Sequence, residues 1–140
     1  MSSRRRFIAA FSGAFLLAVG APRQAWGAFQ NRARQPHPHP DPRPGITAAN
    51  VLTHEQLANA PHAIDVFDLV REIPEIVDGI RCQCGCADLP GFYSLLSCYE
   101  SDGMARYCPI CQGEGRLVSR LHKAGKTLDE IRAAIDARFG

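Results

Sequence analysis

Six cysteines lie between residues 82 and 111, as Cys82-Gln83-Cys84-Gly85-Cys86, then Cys98, then Cys108-Pro109-Ile110-Cys111. Each thiol is a potential nucleophile, redox partner or soft ligand, so this density calls for a chemical reason. Structural disulfides are the default for an even count in a small exported domain. Yet Cys82, Cys84 and Cys86 are too close in sequence to pair with one another without strain, and three bridges from one five-residue strip would be crowded. A thiolate metal site is the second reason. Cys-x-Cys-x-Cys keeps three sulfurs together on a turning loop, and Gly85 permits the backbone angles their convergence needs. Cys108 and Cys111, at i and i+3, read as a chelating pair on one face of a helical turn, and Cys98 closes the shell. All-sulfur surroundings favour Cu(I), with zinc next. The third reason is thiol redox chemistry at Cys108-Pro109-Ile110-Cys111, where a helix start would activate Cys108.

Met104, between Cys98 and Cys108, offers a thioether, but a methionine there reads first as a gap-filler or exposed loop residue. His54, His62 and His122 are scattered, with His122 expected on a solvated helix flank and His62 at a helix start. There is no Gly-x-Ser-x-Gly, no His-Glu-x-x-His and no glycine-rich phosphate loop.

Short helices must hold these sulfurs. Thr53 and Gln56 have capping-box spacing ahead of Leu57, predicting a helix over 53–60 that ends at Pro61. Ile64, Phe67, Leu69 and Val70 predict a second, limited by Pro74, which itself opens the turn running to Ile80. Residues 92–99 are apolar enough for another short helix. Leu117, Val118 and Leu121 mark the inner face of a longer one from Pro109, stopped by Gly125. Thr127 and Glu130 form a capping box before Leu128, Ile131, Ile135 and Phe139. No stretch alternates at period two, so the fold class is all-α, a small cysteine-rich helical domain over 49–140. An apolar core of this size is marginal, so cross-links or a metal should supply part of the stability.

The preceding residues read as an address and a tether. Ser3-Arg4-Arg5-Arg6-Phe7-Ile8, an apolar run to Ala21 and small residues at Ala25 and Gly27 make residues 1–27 a cleaved export signal of the twin-arginine type. The run is too short for a stable membrane anchor, which places the protein in the periplasm or an equivalent extracytoplasmic space. Residues 28–48 form a linker in which Pro36, Pro38, Pro40, Pro42 and Pro44 alternate with His37, His39, Asp41 and Arg43, enforcing extended geometry and a semi-rigid spacer. His37 and His39 there make only a weak, unshielded metal site. Without the signal's Arg4, Arg5, Arg6 and Arg23, 12 basic residues face 14 acidic ones. No basic patch remains, so nucleic acid is not an expected partner.

Residues 70–140 resemble the exported bacterial family named for its Pro-Cys-Tyr-Cys-Gly-Cys motif (PCYCGC). The resemblance rests on Pro74-Glu75-Ile76-Val77, the Cys82–Cys86 run, Ser94-Leu95-Leu96-Ser97-Cys98-Tyr99, the Cys108 and Cys111 pair, and the closing Gly125–Gly140 stretch. Arg81 and Gln83 stand where that motif has proline and tyrosine, and the histidines it has near Phe92 and Met104 are absent. The Cys82–Cys86 and Tyr107–Gly113 stretches, with the same tail, also look like the thiol-reducing subunit of cytochrome c maturation. That resemblance implies a periplasmic helical domain whose cysteine pair reduces apocytochrome thiols. These readings converge on an exported soft-metal protein, copper before zinc. It would hold or transfer the ion through Cys82, Cys84, Cys86, Cys98, Cys108 and Cys111 without catalysis, with a periplasmic metal-accepting or thiol protein as partner. A thiol-disulfide oxidoreductase and a disulfide-stapled interaction module are the alternatives.

Overall fold

Pro74 lacks an amide hydrogen and crowds the residue before it, so Ile73 leaves helical angles (φ −138°, ψ 47°) and the chain breaks there into two helices. These are α1 (Ile64–Glu72) and α2 (Pro74–Asp78). The computed structural model describes residues 38–140. The expected export signal and the linker as far as His37 lie outside the described residues. α3 (Pro109–Lys123) starts at Pro109, whose missing donor costs nothing at a first helical position. It stops at Gly125, in the left-handed region at φ 79°, where the amides of Gly125 and Lys126 bond back to His122 O (2.9 Å) and Leu121 O (3.1 Å). α4 (Leu128–Phe139) opens on the expected capping box, with Thr127 N donating to Glu130 Oε2 (2.8 Å) and Glu130 N to Thr127 Oγ1 (3.3 Å). Among the described residues there is no strand, only an isolated bridge between Val51 and Glu100, so the domain is all-α.

α3 is the central element, packed against α1 on one side and α4 on the other. Val66, Phe67 and Val70 of α1, Val118 of α3, and Ile131 and Ile135 of α4 are fully buried. The Phe67 and Tyr99 rings meet edge to face, with centroids 4.7 Å apart.

Two of the expected helices are not helices. Residues 53–60 form the capping-box bonds (Thr53 N to Gln56 Oε1, 2.8 Å), yet the chain continues as turns. Leu57 alone closes an i to i−4 bond, and Pro61 ends the segment before a second turn can add to it. Over 92–99 only Leu96–Tyr99 coils, as a 3₁₀ turn. Ser97 Oγ takes the amides of Tyr93 (3.2 Å) and Ser94 (3.4 Å), the competition by which serine displaces helix.

The proline run, read from sequence as a semi-rigid spacer, lies against the domain from residue 38 onward. Its backbone carbonyls accept from Tyr93 Oη (Asp41 O, 2.6 Å) and Arg132 Nη2 (Pro40 O, 2.8 Å). Arg43 offers its amide to Oδ2 and its guanidinium to both oxygens of the fully buried Asp78, whose Oδ1 also takes Ser94 Oγ at 2.7 Å. Burial pushes the Asp78 carboxyl up, but these Arg43 and Ser94 bonds outweigh it and hold it below the usual range. Gly79 admits the crossing: a Cβ there would sit 2.9 Å from Leu128 Cδ2 and 3.0 Å from Pro42 Cγ.

His39 ties the strap to the cysteine loop. Its Nδ1 accepts from the Arg81 amide (2.9 Å), so its proton sits on Nε2, facing Asp136 Oδ1 at 3.1 Å. Only the neutral ring fits this arrangement, and burial lowers its pKa below 6.5, with Asp136 opposing. A base with a lowered folded pKa contributes stability above its unfolded pKa and loses it as pH falls through the folded value. Protection of the Arg81 amide against hydrogen exchange is therefore expected to fall between about pH 7 and pH 5 relative to Ile131, once intrinsic rates are removed. Equal pH dependence at both amides would contradict it.

Candidate metal centre

The Cys82–Cys86 loop hangs from two backbone amides. Arg81 N is held by His39, and Gln83 N by Glu114 Oε1 of α3 at 2.8 Å, while Gln83 Nε2 reaches Asp136 Oδ1 at 2.9 Å. Fixing these alternate residues to the strap, α3 and α4 sets the path of the loop that carries Cys82 and Cys84. Gly85, at φ 91°, then turns the chain back so that Cys86 opens the 3₁₀ turn Cys86–Asp88.

Cys98 comes from the Leu96–Tyr99 turn, which Gly103 packs so tightly that a Cβ there would lie 2.1 Å from Cys98 O. Cys111 sits in the first turn of α3, where Tyr99 Oη donates to its carbonyl at 2.7 Å. Gly115 makes room for that hydroxyl, since a Cβ would approach it to 2.2 Å.

The sulfurs of Cys82, Cys84, Cys86, Cys98 and Cys111 all lie within 4.8 Å of one another. Cys84 Sγ stands 2.7 Å from Cys86 Sγ, 3.2 Å from Cys82 Sγ and 3.5 Å from Cys111 Sγ. One thiol facing three neighbours is the geometry of sulfurs gathered round a shared point, not of sulfurs matched in pairs. All six cysteines carry free thiols, and the cluster could hold a metal ion.

Cys108 stands outside the five, half-buried at their edge. The Cys108 and Cys111 thiols are neighbours, but not as the i, i+3 pair on one helical face that the spacing predicts. Cys108 is the residue before α3 and is extended (φ −87°, ψ 112°), so its side chain does not follow the helical screw. Met104, read from sequence as a gap-filler or an exposed loop residue, is exposed and brings Sδ to 3.1 Å from Cys86 Sγ.

The cysteines of the cluster differ in acidity. Burial pushes Cys84 up, but bonds from the Cys86, Cys82 and Cys111 thiols and the Cys86 amide outweigh it, leaving Cys84 below its ordinary value. Its neighbours go the other way. Cys82 is raised by its bond with Cys111 and by burial; against the lowering bond of Cys111, Cys98 is raised by its bond with Cys82 and by burial; against that of Cys82, Cys111 is raised by its bond with Cys98 and by burial. Burial and Cys84 push Cys86 up to about 11. A thiolate at Cys84 would thus be solvated by the surrounding thiols, and each further thiolate needs a cation to offset it.

Glu114 is the functional neighbour that the cysteine pattern alone does not reveal. It is 0% exposed, its Oε1 takes the Gln83 amide, and its Oε2 has no hydrogen-bond partner. Burial raises the carboxyl to about 7, against the pull of the Gln83 amide and the Cys82 thiol. The available signal was positional: Glu114 is three residues after Cys111, in register with Val118 on the inner face.

Among the described residues no helix is long and apolar enough to cross a membrane. No family model, curated protein or solved structure matches the chain.

Proposed function

We propose that this is an exported protein that binds a soft metal ion, Cu(I) in preference to zinc, through its clustered thiolates, and holds the ion or passes it to an acceptor. The observation that carries this reading is the gathering of five sulfurs within 4.8 Å of one another, four of them almost wholly buried. Supporting copper over zinc is the all-sulfur character of the donor set, with a thioether at its edge: thioethers are ligands of Cu(I), not of structural zinc sites. Each sulfur that joins the ion as thiolate sends its proton to solvent, so affinity rises with pH. The export signal and the likeness to the PCYCGC family belong to the same proposal.

The test is anaerobic titration of the fully reduced protein with Cu(I) in competition with a chromogenic chelator. Stoichiometric uptake, with the five clustered thiols losing reactivity toward a thiol reagent, is the expected result. Absence of uptake by reduced protein would reject the reading.

One observation favours a second reading, thiol-disulfide exchange: the lowered pKa of half-buried Cys84. In that case Cys84, not Cys108, is the nucleophile. Its thiolate would attack a substrate disulfide, releasing one substrate thiolate and leaving a mixed disulfide that is trapped when the resolving neighbour is replaced (Cys86→Ser).

A further inference from the structure

The sulfurs continue past the five. Cys98 and Cys111 are 0% exposed, and Cys82 and Cys86 nearly so, but Met104 is 47% exposed while its Sδ touches Cys86 Sγ at 3.1 Å. Cys108, half-buried, shares a depression of about 410 Å³ with Met104, Asp102, Gly103, Arg106 and Tyr107. Among the smaller causes acting on Cys86 and Cys111 is the Cys108 thiol, which pushes both up and thereby marks its nearness to each.

We propose that Met104 and Cys108, with Cys86 behind them, form an outer port through which a soft monovalent cation exchanges between external ligands and the buried thiolates. The inference rests on the metal-binding reading above. A buried ion cannot leave by dissociating into an apolar core; it leaves by stepwise ligand replacement, each new sulfur attaching before the old one lets go. Cys86 is the one clustered cysteine in contact with the exposed thioether, and so is the hinge of that relay.

The ligand types suit transit. A thioether is neutral, binds without releasing a proton and prefers Cu(I) or Ag(I) to hard cations, so it captures weakly and lets go. Cys108 supplies the firmer handhold: its thiol loses one proton to solvent as it attaches and regains one as the ion moves inward. No electron is transferred at any step. Divalent zinc, which takes thiolate, imidazole or carboxylate and not thioether, would gain nothing from Met104.

The experiment uses reduced protein, Cu(I) and a chromogenic Cu(I) chelator under anaerobic conditions. The variants are Met104→Leu, Cys108→Ser and the pair together. Leucine conserves the volume at a half-exposed site, so folding is preserved. Expected is transfer to the chelator slowed by at least about tenfold in the double variant, beyond what any change in its equilibrium affinity for the first equivalent accounts for. The ε-methyl resonance of Met104, the one methionine besides Met1, should shift on adding substoichiometric Cu(I) and not on adding zinc. Uptake by the parent with equal transfer rates in all variants would overturn the port and leave the metal reading standing. No uptake by the parent would overturn both.

Discussion

Loading the reduced protein with Cu(I) is expected to raise its melting temperature by about 20 °C, and Cys111→Ser is expected to forfeit most of that rise. A ligand that binds only the native state stabilises it by about 4 kcal/mol at a thousandfold excess over its dissociation constant. In a domain of this size each kcal/mol is worth roughly 4–8 °C. Cys111 is the member to remove because it is fully buried and stands within 3.5 Å of both Cys82 and Cys84. Serine offers a hard, poorly acidic oxygen in its place. The substitution also perturbs the ion-free protein, since α3 begins there and Tyr99 Oη bonds the Cys111 carbonyl. The diagnostic quantity is therefore the difference between loaded and ion-free melting temperatures for each protein, measured by calorimetry under reducing conditions. A parent that melts at the same temperature with and without Cu(I), or a variant with an undiminished rise, would contradict the shared site.

The parts of this molecule legible in its sequence are those that local chemistry determines. The capping box at Thr127, the left-handed stop at Gly125 and the break at Pro74 are each written in one or two residues, and all three are where they should be. The same rule misled at Thr53 and Gln56: the box forms, but a cap stabilises a helix only if enough residues follow to pay for its nucleation, and Pro61 removes them. Over 92–99 the apolar content was legible and the coiling was not, because Ser97 binds two preceding amides. The density of cysteines announced a site. Their convergence depends on contacts far apart in the chain: His39 on Arg81, Glu114 on Gln83, Gly103 beneath Cys98. Spacing cannot report such contacts. It also put Cys108 inside the helix, whereas Cys108 is the residue before α3 and its thiol meets Cys111 from outside the helical screw. Polyproline spacing correctly excludes helix from residues 38–44, but an extended chain with carbonyls free on its flanks is as fit to dock as to reach. Here Arg132, Tyr93 and Asp78 dock it.

Glu114→Gln is expected to abolish a pH dependence of about 3 kcal/mol in the stability of the ion-free protein. In the unfolded chain this carboxyl gives up its proton near 4.5, whereas in the native core it keeps it to about 7. A raised folded pKa means that the native state binds more protons than the unfolded one throughout that window. Its contribution is thus complete below the unfolded value and is lost as pH rises through the folded one. The interval of roughly 2.5 units sets the size at 1.36 kcal/mol per unit. Glutamine cannot ionise, yet it keeps an oxygen for the Gln83 amide, so the loop carrying Cys82 and Cys84 stays anchored. His39 acts with the opposite sign in an overlapping range, since its lowered pKa favours the native state as pH rises. The comparison must therefore be parent against variant, by denaturant unfolding under reducing conditions at about pH 5 and pH 7.5, where the His39 contribution cancels. The variant should gain on the parent between these two pH values by roughly 2.5 kcal/mol, the part of the interval that lies above pH 5. Parallel stability profiles would mean that the carboxylate is solvated in the native protein, and that its place beside Cys82 carries no electrostatic cost.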